Sequence, residues 1–183
     1  MSPAAPIEPE AVQVQVPTTR KWHVRPAVPE DIQAVAAAVA ALLDELAGAP
    51  QSTSASSAPA ERDLSTMEGT VRALIENPQA GTLLVADAEG SLVGMLAASW
   101  QIAIHVPGRY GLIQDLWVPP SLRGGGIGAA LVEAFAAIAR EQGVPRIEVG
   151  LPKPSFAGIA ATEAFYVRNG LVPHGTRMRM LLG

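Results

Sequence analysis

The stretch "PSLRGGGIGAAL", residues 120–131, puts four glycines among the five residues after Arg123 and runs straight into alanine-rich apolar sequence. Glycines this dense let a backbone turn sharply, or let another group approach it closely. Behind them Ile127, Leu131, Ala134, Phe135 and Ile138 recur at helical spacing, so the glycines stand at the start of a helix that ends near Gly143. A helix start carries unpaired N–H groups and about half a unit of positive charge. The expected occupant is an anion, a phosphate or pyrophosphate, and the competing explanation is a tight turn with close helix packing.

Working outward, "RYGLIQDLWV" (109–118) is β-rich and precedes the glycines after a Pro107-Gly108 turn, while "PRIEVGL" (145–151) follows the helix as another strand. The glycine segment is then the crossover of a parallel strand-helix-strand unit. Upstream, "HVRPAV" (23–28) is a short strand and "PEDIQAVAAAVAALLDELAG" (29–48) a helix, with Pro29 in its first turn and Gly48 at its stop. "LSTMEGTVRALIENPQAG" (64–81) is a second helix broken at Asn77-Pro78, and "GTLLVADAEGSLVGMLAASWQIAI" (81–104) a hairpin turning between Asp87 and Ser91. "SFAGIAATEAFYVRNG" (155–170) is a helix with Ser155 as its cap and Asn169-Gly170 as its stop, and "TRMRMLL" (176–182) a last strand. This order predicts an α/β (α+β) fold with a mixed sheet flanked by helices.

Composition bounds the function. The chain has 183 residues, 49% of them hydrophobic, which suits one core and one domain. A formal net charge of -4 disfavours nucleic acid and anionic membrane as partners. With no cysteine and three scattered histidines, no thiol nucleophile or metal site is expected. Residues 1–22 are expected to be a flexible tail, its "AVQVQV" being the one alternative for a strand, and residues 23–183 the folded domain. No signal peptide or membrane span is legible, so a cytoplasmic location is expected. "APQSTSASSAPA" (49–60) is expected to be a surface loop.

The identity of the phosphate compound is narrower. A P-loop needs Lys-Ser/Thr after its last glycine, and Ile127-Gly128-Ala129 stands there instead. Gly124, Gly126 and Ala129 match the G-x-G-x-x-A dinucleotide spacing, with Glu148 about twenty residues on. Five residues, "PPSLR", nevertheless separate Val118 from Gly124, where a dinucleotide fold has almost none.

"DLWVPPSLRGGGIGAALV" (115–132) resembles the coenzyme A motif of the GNAT N-acetyltransferase superfamily, Q/R-x-x-G-x-G/A at a helix start. "VRPAVPEDIQAV" (24–35) is similar to the family's opening strand and helix, and "TEAFYVRNGL" (162–171) to its closing helix. The resemblance implies a single-domain, mostly antiparallel sheet with a parallel, splayed strand pair at the donor site. It implies acetyl-CoA as acyl donor and transfer of the acetyl group to a primary amine, by direct attack through a tetrahedral intermediate. Backbone N–H groups of Arg123, Gly124, Gly125, Gly126, Ile127, Gly128 and Ala129 would hold the pyrophosphate. Main-chain groups of Leu116, Trp117 and Val118 would pair with the pantetheine arm and present an N–H to the thioester oxygen. Tyr166 matches the family tyrosine that donates to the departing sulfur, and the family's frequent asparagine is Ile159 here. Asp115 is the first choice for general base, ahead of Glu148 and His105.

The acceptor is expected to be a small amine. It would approach past the 49–60 loop, Trp100, His105 and the turn with His174, although core is the better assignment for Trp100. Arg177 and Arg179, two apart on a strand, would form one basic spot suited to a carboxylate. A homodimer is compatible with the sequence. The alternatives are a non-catalytic acyl-CoA-binding regulatory domain and, further off, a dinucleotide-dependent oxidoreductase.

Overall fold

The structure is a computed structural model in which residues 21–48 and 64–175 are described. Most of the tail, the 49–60 loop and the last strand with Arg177 and Arg179 lie outside those residues.

Strand β1 (His23–Pro26) leads through a 3-10 turn at Pro29–Asp31 into α1 (Ile32–Ala47), which stops at Gly48. Helix α2 (Leu64–Glu76) ends before Asn77-Pro78, where proline forbids a further turn. Strands β2 (Gly81–Ala88) and β3 (Ser91–Ala103) form the expected hairpin, its turn held by Asp87 Oδ1 accepting from the Gly90 N–H at 2.7 Å. Strand β4 (Val106–Trp117), α3 (Ile127–Glu141), β5 (Ile147–Val149) and α4 (Ile159–Arg168) follow.

The sheet runs β1-β2-β3-β4-β5, antiparallel except for the parallel β4-β5 pair. Alternation divides its side chains between two cores. Leu84, Leu96, Trp100 and Ile113 pack on one face with Leu131 and Phe135 of α3 and Tyr166 of α4. Leu83, Val85 and Met95 pack on the other with Ile32 and Val35 of α1 and Val71 of α2. Arg25 ties the front edge together, donating to Asp31 at 2.7 Å and to Asp87 at 2.8 Å. Its guanidinium holds both carboxyls below their ordinary range.

Three sequence expectations are corrected. The β3-β4 connection is Ile104-His105, not Pro107-Gly108; those two residues lie inside β4 as the extra pair that breaks register between Ile102 and Ala103. Proline offers no N–H to the ladder, so it is placed at an irregularity instead of a regular step. Helix α4 begins at Ile159 with Gly158 as its N-cap and no side-chain cap bond, so Ser155 does not cap it. Strand β5 keeps only three residues of "PRIEVGL". Trp100 is core, as expected: its ring lies 5.4 Å from that of Phe135, and its Nε1 donates to the Pro78 carbonyl at 3.2 Å.

Gly111 is where β4 admits α3. A Cβ added there would stand 2.6 Å from Phe135 Cζ and 3.1 Å from Trp100 Cζ3, both in buried rings with no room to retreat. Gly111→Ala is expected to destabilise the fold by about 1–3 kcal/mol through overpacking. A denaturation midpoint equal to wild type would show that the rings are not fixed there.

Candidate active site

The site begins where β4 parts from β5. Parallel pairing covers only Gly111 to Ile113 against Ile147 to Val149, whereas β4 continues to Trp117. On its other side β4 stays paired with β3, and Gln114 is an extra residue between Asp115, opposite Ala97, and Ile113, opposite Ala98. This bulge bends the strand away from β5. The edge from Gln114 to Trp117 that faces β5 therefore has no strand partner among the described residues.

Past Val118 the chain makes a 3-10 turn, Pro120–Leu122, and enters the glycine loop. Gly124 and Gly126 have φ of 82° and 80°, left-handed values that side chains with a Cβ rarely adopt. Gly126 is the N-cap of α3. The N–H groups of Gly124, Gly126, Ile127, Gly128 and Ala129 meet no acceptor among the described residues. Those of Arg123 and Gly125 are engaged within the loop, with Pro120 at 3.3 Å and Leu122 at 3.4 Å. The cluster suits an anion such as a pyrophosphate, because helix-start N–H groups point outward with the positive end of the dipole. A groove of about 760 Å³ opens beside this loop along α3, past Gly126, Ala130 and Ala134 to Trp22, His23 and Asn169.

Helix α4 closes the other side. A Cβ on Gly128 would lie 3.2 Å from the Phe165 ring, so α4 sits tightly on the start of α3. The next residue, Tyr166, is buried in the α3-side core. Its hydroxyl is pushed up to about 12, by burial first and then by the Asp115 charge. Burial also pushes the Asp115 carboxyl above the ordinary aspartate range. The fold thus lets the Asp115 charge act on a phenol 51 positions away in the chain. It does not bring His105, exposed in the β3-β4 turn, or leave Glu148 unengaged, since that carboxylate pairs with Arg146 at 2.8 Å.

Sequence reasoning missed Glu45. Its carboxylate, largely buried, receives the Arg123 Nη2 at 2.8 Å on each oxygen and Trp117 Nε1 at 3.2 Å, while Arg123 Nε donates to the Val118 carbonyl at 3.0 Å. The end of α1 is thereby fastened to the strand end and the glycine loop. Nothing in spacing announces a partner 78 residues away.

The Asp115 carboxyl holds its proton more tightly folded than unfolded. Its favourable contribution is complete below the unfolded value of about 3.9 and is lost as pH rises through the raised folded value. Asp115→Asn is therefore expected to melt above wild type at pH 7, with the difference closing below about pH 3.9. In a Tyr110→Phe background, where Tyr166 is the only tyrosine, Asp115→Asn is also expected to lower the midpoint of phenolate absorbance. An unmoved midpoint would separate the two groups.

Comparison with known proteins places this geometry. The acetyltransferase (GNAT) family model matches residues 40–166. No curated protein sequence matches the chain. Solved structures with the same fold include one of a possible acetyltransferase from Clostridium difficile 630, 17% identical, covering 88% of this chain and 97% of its own with a TM-score of 0.70. A predicted acetyltransferase from Clostridium acetobutylicum, solved with acetyl-CoA, is 16% identical and covers 87% and 96%, with a TM-score of 0.66. An aminoglycoside acetyltransferase from an uncultured soil metagenomic sample is 17% identical and covers 88% and 95%, with a TM-score of 0.63. A strand pair parted at a bulge, a glycine loop of open N–H groups on the following helix and a family match over residues 40–166 agree: the chain belongs to the GNAT family of acetyltransferases.

Proposed function

We propose that residues 23–183 form one acetyltransferase domain that moves an acetyl group from acetyl-CoA to a primary amine of a small acceptor. The observation that carries this is the sequence, along one stretch of chain, of a β4 edge and a row of helix-start N–H groups that have no partner among the described residues, and the buried Asp115 and Tyr166 support it. The related structure that contains acetyl-CoA supports the choice of donor.

In this proposal Gly124 and Gly126 to Ala129 hold the pyrophosphate through their N–H groups. The groove along α3 gives room for the nucleotide end. The main chain from Leu116 to Val118 pairs with the pantetheine arm and stabilises charge developing on the thioester oxygen. Arg123 serves through its grip on Glu45 and Val118, which sets the loop. The acceptor comes from the opposite, α1 side of the sheet, since Asp115 lies across from Ala97, a member of that core.

The amine nitrogen attacks the thioester carbonyl carbon with its lone pair, and Asp115 takes its proton directly or through water. The carbon-sulfur bond then breaks and its electron pair leaves on sulfur. Tyr166 stays protonated at every working pH, but its value of about 12 exceeds the roughly 8.5 of a thiol, so full proton transfer runs uphill. Its hydroxyl therefore stabilises the departing sulfur as a hydrogen-bond donor, and the neutralising proton is the one released by the amine.

A thermal-shift comparison of acetyl-CoA, longer acyl-CoAs, NADH and NADPH tests the donor. At a hundred times its Kd, acetyl-CoA adds about 2.7 kcal/mol, or roughly 5–10 °C for a domain of this size. A response equal to buffer would remove the reading, a larger response to NADH would favour dinucleotide chemistry, and binding without thiol release would leave a non-catalytic acyl-CoA domain. Tyr166→Phe is expected to lower kcat by about ten- to a hundredfold while the acetyl-CoA shift stays near wild type.

A further inference from the structure

In the proposed donor site two stretches hold opposite halves of one ligand. The main chain from Leu116 to Val118 takes the pantetheine arm, and the N–H groups of Gly124 and of Gly126 to Ala129 take the pyrophosphate. Their spacing depends on residues 119–126, which run between buried Val118 and buried Ile127 and are themselves exposed or half-buried. A Cβ on Gly124 or Gly126 would meet nothing within 4 Å, so both positions border open space. The N–H groups of Leu122, Arg123 and Gly125 each bond only three residues back, to Pro119, Pro120 and Leu122. Those bonds shape the turn without tying it to the strand.

Glu45 on α1 supplies the tie. Its carboxylate, 14% exposed, receives Arg123 Nη2 at 2.8 Å on each oxygen, and its Oε1 also receives Trp117 Nε1 at 3.2 Å. Trp117 ends the strand that takes one half of the donor, and Arg123 directly precedes the first glycine of the loop that takes the other. Arg123 Nε adds a bond of 3.0 Å to the Val118 carbonyl. An ion pair open to water holds its side chains weakly, whereas a carboxylate withdrawn from water and shared by N–H donors of two segments holds both.

We infer that Glu45 is a positioning residue that fixes the spacing between the strand end and the glycine loop, so that a donor spanning both binds as a single ligand. This rests on the acetyl-CoA proposal and deepens it. Once one half of a two-part ligand is bound, the other half binds at an effective concentration that is high when the two sites are held at its span and low when their spacing varies. A spacing fixed beforehand also removes the cost of ordering the loop on binding. Each half-site alone keeps its own support: β3 still pairs with the strand, and α3 still presents its first N–H groups. Loss of Glu45 is therefore felt by the spanning ligand and not by its halves.

The test is thermal-shift titration of the full chain, wild type and Glu45→Ala, with acetyl-CoA, with ADP for the pyrophosphate half and with S-acetylpantetheine for the strand half. The apparent Kd of acetyl-CoA is expected to rise about tenfold in Glu45→Ala, while those of ADP and S-acetylpantetheine stay within about twofold of wild type. Arg123→Met, at an exposed position, is expected to repeat this pattern and carries the test if Glu45→Ala does not fold. Glu45→Gln keeps Oε1, the atom that meets both Arg123 and Trp117, and is expected to return acetyl-CoA to within about threefold of wild type. Equal losses for all three ligands would make Glu45 a support of the fold at large and overturn the inference. So would an unchanged acetyl-CoA Kd, no recovery in Glu45→Gln, or a wild type that binds neither half. All of these leave acetyl-CoA standing as donor. A wild type without any response to acetyl-CoA overturns the donor reading itself, and this inference falls with it.

Discussion

The parallel pairing of β4 with β5 ends at Ile113 and Val149, and from there β3 is the strand that holds β4 among the described residues. A strand edge without a partner must satisfy its N–H and C=O groups with water or with a ligand that can mimic a strand. The bulge at Gln114 makes the separation permanent, because one extra residue on β4 turns the strand end away from its neighbour. Sheet pairing and an open edge are thus consecutive states of one strand. The glycine loop, α3 and the Asp115-Tyr166 pair are all placed relative to that change.

The two faces of the sheet differ chemically. On the α3 side lie the N–H row of the glycine loop and a groove that runs from Gly126 along α3 to Trp22 and His23, an arrangement suited to an anion. On the α1 side lie the Asp115 carboxyl and the side chains of Ser99, Gln101 and Gln114. Glu45 links the two: one carboxylate on α1 holds Trp117 at the strand end and Arg123 before the glycines. Arg123 Nη2 is shared between both Glu45 oxygens while its Nε donates to the Val118 carbonyl, so the loop is held before any ligand arrives.

Much of the fold was legible because its signals are local. Helical spacing in α1 and α3, the Asn77-Pro78 break and the Asp87–Ser91 turn are decided by neighbours a few residues apart, and the structure keeps them. The misplaced features depended on partners. Pro107-Gly108 has turn chemistry, yet the register of β3 against β4 moved the turn to Ile104-His105 and used the pair as an irregularity. Ser155 has capping chemistry, yet α4 starts four residues later, where its aromatic pair Phe165 and Tyr166 can reach α3 and the core.

For the site, the sequence by itself determined the glycine loop, the strand before it and the helix after it, since left-handed backbone at Gly124 and Gly126 and the apolar stripe from Ile127 are written residue by residue. It singled out Asp115 and Tyr166 without relating them. Only the tertiary structure decided that both are buried, that the Asp115 charge bears on the Tyr166 hydroxyl, that Glu45 grips Arg123, and that two glutamines converge on Ser99. Each of those facts depends on sheet register and helix packing across dozens of residues. Charge and hydrogen bonding act through distance in space, and no spacing along the chain encodes that distance.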